Sequence, residues 1–123
     1  MAKIRVLIVD DSPTEIHVLS GMLEKNGHQV DSVDNAEAGI ARSQETKPEL
    51  ILMDVVMPGM NGFQATRQLS KQSETANIPV IIVTTKDQET DKVWAKRQGA
   101  KDYIVKPVQE KGLIEHVNMV LSS

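Results

Sequence analysis

Apolar residues along this chain gather in four short runs, each of which stops at a polar residue. Val6-Leu7-Ile8-Val9 meets Asp10-Asp11, and Leu50-Ile51-Leu52-Met53 meets Asp54. Val80-Ile81-Ile82-Val83 meets Thr84-Thr85, and Tyr103-Ile104-Val105 meets Lys106-Pro107. Runs this short, rich in Val, Ile and Leu, predict strands buried on both faces of a parallel sheet. The segments between them read as helices. Ser12, Pro13 and Glu15 form a helix start with a capping box, followed by apolar Ile16, Leu19, Met22 and Leu23 and a stop at Asn26-Gly27. A weaker strand is expected over 29–33. A helix follows over 36–45, with Ala38, Ile40 and Ala41 as its apolar positions, closed by Lys47-Pro48. After the turn-like Met57-Pro58-Gly59, residues 63–69 predict a third helix, and Asn77-Ile78-Pro79 leads into the next strand. Asp87 is expected to cap a fourth helix ending at Gly99, and a fifth carries Leu113, Ile114, Val117, Val120 and Leu121. Strand and helix alternate five times, so the fold class is α/β, with right-handed crossovers placing helices on both sheet faces.

Composition narrows the picture. At 123 residues the chain makes one domain. Phe63, Trp94 and Tyr103 are its only aromatics, so the core must be aliphatic. The absence of cysteine excludes disulfides, thiolate metal sites and a cysteine nucleophile. Neither a signal peptide nor a long apolar stretch is apparent, so a cytoplasmic protein without membrane insertion is expected. The net charge is −3, an excess equal to the three aspartates at the strand ends. Carboxylates crowded together repel, and either protonation or a cation relieves them. With no basic run and few aromatics, nucleic acid is not an expected partner.

In an open α/β sheet, functional groups collect beyond the carboxyl ends of the strands. Asp10, Asp11, Asp54, Thr84 and Lys106 should therefore converge there. Asp54 is the candidate nucleophile, since a carboxylate can accept a phosphoryl group as an aspartyl phosphate. Asp10 and Asp11 supply hard oxygen ligands suited to Mg²⁺. Lys106 offers a point positive charge, and Thr84 a hydroxyl donor, to phosphoryl oxygens. Each residue alone has a bland explanation as a cap, turn former or strand terminus. Four strand ends decorated together favour the phosphoryl site.

Val9-Asp10-Asp11-Ser12, Met53-Asp54 through Pro58-Gly59 with Asn61-Gly62, Val83-Thr84 and Tyr103 through Pro107 resemble the receiver-domain motifs of two-component response regulators. More narrowly, 62–69 and 78–99, with Lys92-Val93-Trp94, resemble the small receiver of type IV pilus twitching-motility chemosensory systems. The resemblance implies a flavodoxin-like (βα)5 three-layer sandwich with parallel strand order 2-1-3-4-5, filled by one receiver spanning 1–123 with no output domain. It implies that a histidine kinase phosphorylates Asp54. Asp11, Asp54 and the Val56 carbonyl would bind Mg²⁺, or Mn²⁺ in its place, with Asp10 acting largely through water. Thr84 and Tyr103 would form the switch pair, with the tyrosine ring turned inward. The Lys106-Pro107 bond would be cis, a minority form for X-Pro in general. The output face would comprise the fourth helix, fifth strand and fifth helix of a monomer, with dimerisation on phosphorylation left open.

Two residues depart from the familiar chemotaxis pattern: Val56 replaces an amide two after the acceptor, and Lys86 replaces an acid two after Thr84. Both belong beside the phosphoryl group, where they are expected to lengthen its lifetime. Trp94 reads as cover over an apolar seam in preference to a partner hot spot. His17, His28 and His116 read as solvent-facing or loosely packed, and the methionines as gap filling. Lys92, Lys96, Arg97 and Lys101 give the fourth helix a basic bias that leaves an acidic partner open.

The functions in competition are a signalling switch that binds a protein once phosphorylated, and a phosphate sink competing with another receiver. An aspartate-dependent phosphohydrolase would want an acid two after the nucleophile, where Val56 stands. A flavodoxin-like nucleotide or flavin binder would want a glycine-rich loop after the first strand, where Asp-Asp-Ser-Pro stands. An enzyme acting on anything but its own phosphorylation is thus not expected.

Overall fold

The computed structural model describes residues 3–122. Ten elements alternate along it: β1 (Arg5–Val9), α1 (Pro13–Lys25), β2 (Gln29–Val33), α2 (Ala36–Thr46), β3 (Leu50–Met53), α3 (Gly62–Lys71), β4 (Val80–Thr84), α4 (Glu89–Gln98), β5 (Asp102–Val105) and α5 (Glu110–Leu121). All strand pairs are parallel, in the order β2-β1-β3-β4-β5. Alternate strand residues face opposite ways, and this divides the core in two. Leu7, Val9, Ile51, Met53 and Ile82 meet Ala36, Ile40, Phe63, Leu69 and Ala95 from α2, α3 and α4. Val6, Ile8, Leu50, Leu52, Ile81 and Val83 meet Leu19, Leu23, Leu113 and Val117 from α1 and α5. The three-layer α/β sandwich is thus a direct consequence of strand periodicity.

Several local expectations need correction. β5 lies at the sheet edge, and only Ile104 within it is fully buried, so it is not covered on both faces like β1, β3 and β4. In α2 the buried positions are Ala36, Gly39, Ile40 and Ser43, while Ala41 is exposed. The reason is close approach: a Cβ on Gly39 would stand 2.8 Å from a Val9 methyl. Gln88, not Asp87, is the N-cap of α4, and its N–H donates to the Asp91 carboxylate at 3.3 Å. The α1 capping box is half formed. Ser12 Oγ accepts from Glu15 N–H at 3.3 Å, but the Ser12 N–H donates to Asp10 Oδ1 at 2.9 Å instead of to Glu15. His28 is buried, with Nδ1 accepting from Ile4 N–H at 3.3 Å and Nε2 unpartnered among the described groups. Burial holds its pKa below the ordinary histidine value.

Candidate functional site

Strand register assembles the site. Val9 pairs with Met53, so Asp10 and Asp54 leave the sheet side by side. The backbone continues the ladder one step further: Asp10 N–H donates to Val33 O at 3.1 Å and Asp54 N–H to Val9 O at 2.9 Å. On the other side Thr84 pairs with Val105, and Lys106 N–H donates to Thr84 O at 2.8 Å. The Lys106-Pro107 bond is cis. Lys106 Nζ reaches Asp10 Oδ2 at 2.8 Å and Asp54 Oδ2 at 3.4 Å. Carboxylate oxygens of Asp10, Asp11 and Asp54 lie within 4.8 Å of one another, the first and last buried and Asp11 exposed. Asp54 Oδ1 accepts from Val55 N–H at 2.7 Å.

The loop carrying Asp54 is clamped by α3. Asn61 caps that helix in a full capping box with Gln64, and Gly62 N–H donates to Val55 O at 3.0 Å. Gly62 is needed for space: a Cβ there would lie 1.9 Å from the Asp54 carbonyl oxygen.

Charge in this corner is unbalanced. Burial raises the Asp54 pKa most, the Lys106 charge opposes it, and the neighbouring Asp10 raises it further. The Val55 N–H and the Thr84 hydroxyl favour the charged form without overcoming the rise. For Lys106, burial acts downward, but the bond to Asp10 and the charges of Asp54, Asp10 and Glu15 hold it above the usual lysine value. A raised carboxylate pKa means that stability contributed by protonated Asp54 is lost as pH rises through that value, so ionised Asp54 costs stability at neutral pH. Asp54→Asn should therefore be more stable than wild type at pH 7.5, by about 1 kcal/mol. Thermal unfolding at pH 7.5 and at pH 4 checks this, and the gain should shrink at the lower pH.

The remaining site residues are distributed around this centre. Thr84 is fully buried, and its Oγ1 accepts from Lys86 N–H at 3.4 Å. Tyr103 is partly buried against the α2–α4 side of the core, with its hydroxyl donating to Lys86 O at 2.8 Å. Its pKa is pushed up to about 12, chiefly by burial and then by Asp91, Asp87 and Asp54, so the phenol stays a donor. Thr84 and Tyr103 are thus joined through the Lys86 peptide. Val56 is 62% exposed on the β3–α3 loop. Lys86 Nζ lies 3.8 Å from Asp91 Oδ1, so its ammonium is directed to the start of α4. Trp94 is 48% exposed and covers its seam only in part.

Glu15 was not anticipated here. Its carboxylate lies 4.0 Å from Lys106 Nζ. The sequence signal was available, since a glutamate one turn into the helix after Asp10-Asp11 must lie near the strand ends, but the capping-box reading absorbed it.

A doubly wound parallel sheet with an aspartate cluster and a lysine across it at the carboxyl edge defines a receiver domain. The chain belongs to the response regulator receiver domain family, whose model matches residues 6–118. It is 64% identical over 118 residues to protein PilH of Pseudomonas aeruginosa, a match covering 96% of this chain and 98% of that one. Chemotaxis protein CheY4 of Vibrio cholerae has the same fold, with a TM-score of 0.92 at 30% identity over 98% of this chain and 100% of that one. The receiver domain of the sensor histidine kinase PA1611 of Pseudomonas aeruginosa matches with a TM-score of 0.91 at 26% identity, over 99% and 100% of the two chains. That structure holds a magnesium ion in its active-site cleft. No helix among the described residues is long and apolar enough to cross a membrane.

Proposed function

We propose that Asp54 accepts a phosphoryl group from a histidine kinase and that the phosphorylated receiver signals by binding a protein partner. The observation that carries this is the Lys106 ammonium shared between Asp10 and Asp54, with Asp11 open to solvent beside them. Oxygen donors of this number and charge fit a hard divalent cation. Asp11, Asp54 and the Val56 carbonyl would hold Mg²⁺, or Mn²⁺ in its place, with Asp10 acting through water. Bound there, the ion would neutralise charge on the phosphoryl oxygens.

The chain's own residues do the rest. An Asp54 carboxylate oxygen bonds to phosphorus while the P–N bond to the kinase histidine breaks. Val55 N–H keeps the carboxylate oriented. Lys106 supplies fixed positive charge where the phosphoryl oxygens arrive, and Thr84 supplies a hydroxyl donor. Once Thr84 turns to the phosphoryl group it draws on the Lys86 peptide, to which Tyr103 is tied. Local rearrangement thereby reaches α4, β5 and α5, the surface proposed for output. A bias of a few kcal/mol is sufficient to shift such an equilibrium. The resemblance to twitching-motility receivers supports a role in type IV pilus control in the cytoplasm, as a monomer in the resting state.

Radiolabel carried on a histidine kinase should pass to wild-type protein and not to Asp54→Asn. Label that remains on the kinase with folded wild type present would contradict the proposal. Val56 and Lys86 lengthen the lifetime of the label. An apolar group cannot orient a hydrolytic water, and the Lys86 ammonium, released from its loose 3.8 Å contact with Asp91, would shield the phosphoryl oxygens. A Val56→Asn, Lys86→Glu variant should lose label severalfold faster than wild type, and an unchanged rate would remove these two residues from the account.

A further inference from the structure

We infer that Asp31 and Asp102 close the two outer edges of the sheet against a strand from a second copy of this chain. The inference does not depend on the reading of Asp54 as acceptor. β2 and β5 are the outer strands, each paired on one side only. An uncovered edge offers a row of N–H and C=O groups to any extended segment that meets it.

The register shows which groups are offered. Gln29 N–H donates to Ile4 O at 2.9 Å, and Val33 O accepts from Asp10 N–H at 3.1 Å. Backbone groups alternate in direction along a strand, so Gln29, Asp31 and Val33 serve β1, while Val30 and Ser32 face outward. Ser32 N–H already donates to Asp31 Oδ1 at 2.9 Å, and the other oxygen of that carboxylate is held by the Arg42 guanidinium of α2. β5 repeats the arrangement. Lys106 N–H donates to Thr84 O at 2.8 Å, so Ile104 and Asp102 serve β4 and Tyr103 faces outward. Tyr103 N–H donates to Asp102 Oδ1 at 2.8 Å, and His116 Nδ1 of α5 lies 2.5 Å from Asp102 Oδ2. On each edge an aspartate takes the outward N–H of the residue after it, and a basic side chain of the adjacent helix fixes that aspartate.

β2 is the edge more open to a partner. A cleft of about 290 Å³ lies beside it, lined by Val6, Leu7, Val30, Asp31 and Pro48, among others. An added strand would therefore bury apolar surface as well as pair. A second copy fits this edge antiparallel about a two-fold axis through Asp31, with Val30 of each copy exchanging hydrogen bonds with Ser32 of the other. That axis sets Asp31 directly against its own counterpart at a non-hydrogen-bonded position, where Cα atoms stand about 4.5 Å apart. Like charges so placed oppose pairing. The Ser32 donor that the pair requires is also occupied, so one carboxylate blocks the edge twice.

Sedimentation equilibrium of wild type, Asp31→Ala and Asp34→Ala tests this, the last making the same change in net charge just beyond β2. Asp31→Ala should raise the dimerisation constant about tenfold or more, and Asp34→Ala should leave it unchanged. Amide hydrogen exchange supplies a second readout on the single chain. In dilute wild type the Ser32 amide should be better protected than that of Val30, and in dilute Asp31→Ala the two should be protected alike. The Asp31 side chain is 49% exposed, so its loss leaves the core intact. Should the variant nevertheless fold poorly, the wild-type amide comparison carries the test. Asp102→Ala reads the other edge in the same way, through the Tyr103 amide. An Asp31→Ala protein that self-associates no more than Asp34→Ala overturns the inference, as does a wild-type Ser32 amide no better protected than that of Val30.

Discussion

Gly62→Ala should destabilise the protein by roughly 4 kcal/mol or more, among the largest effects open to a single methyl group. The new Cβ would meet the Asp54 carbonyl oxygen at 1.9 Å, the Asp54 carbonyl carbon at 2.8 Å and Val55 Cα at 2.9 Å. All three are backbone atoms, so no side chain can rotate away. Either α3 lifts from the sheet, breaking the Gly62 N–H bond to Val55 O, or the loop carrying Asp54 shifts. Both outcomes lower the melting temperature, and the second also moves the Asp54 carboxylate. The same substitution at Gly21, in the exposed middle of α1 with nothing within 4 Å of a new Cβ, should instead stabilise by about 0.5–1 kcal/mol. Thermal unfolding of the pair measures both signs. Equal melting temperatures would mean that α3 does not clamp the loop carrying Asp54.

Lys106→Met should cost about 3–5 kcal/mol at neutral pH, because it leaves two buried carboxylates without their cation. The Lys106 side chain is 8% exposed and that of Asp10 2%, so solvent screens this corner little. Asp10 keeps one partner, the Ser12 N–H on Oδ1, and loses the 2.8 Å contact on Oδ2. Asp10 and Asp54 then repel with nothing between them. The lysine pKa is raised in the folded state, so its stabilisation is fully present below 10.5 and is lost only as pH rises through the folded value. The whole effect is therefore visible at pH 7.5. It should diminish as pH falls and the carboxylates protonate, and saturating Mg²⁺ should restore part of it. A Lys106→Met, Asp10→Asn double variant should regain most of the loss. A double variant no more stable than the single one would show that lost packing, not uncompensated charge, governs the corner.

The parts of this molecule legible in the sequence are those where one residue type suffices for one environment. β1, β3 and β4 announce themselves because strands buried on both faces need continuous aliphatic runs, and each run stops where the site begins. The convergence of Asp10, Asp11, Asp54, Thr84 and Lys106 was expected because each stands at the carboxyl end of a strand in an open α/β sheet. Contacts that depend on smallness or on competition between donors were less visible. The core face of α2 was misassigned because Gly39, pressed against Val9 of β1, and Ser43 are buried there, which hydrophobicity does not reveal. Glu15 was read as a capping acid because the sequence cannot show that Asp10 takes the Ser12 N–H first. His28 was read as solvent-facing or loosely packed, although it is buried behind the start of β2, where its ring accepts from the Ile4 N–H. Lys86 is expected beside the phosphoryl group, and without one its ammonium lies 3.8 Å from Asp91, a residue that the sequence reading passed over.

Intact-mass spectrometry after incubation with acetyl phosphate tests the central claim most directly, with and without Mg²⁺ and beside Asp54→Asn. A single phosphoryl adduct that requires both Mg²⁺ and Asp54 is the predicted result. An adduct that persists in Asp54→Asn, or none on folded wild type with Mg²⁺ present, would contradict the assignment of Asp54 as the phosphoacceptor.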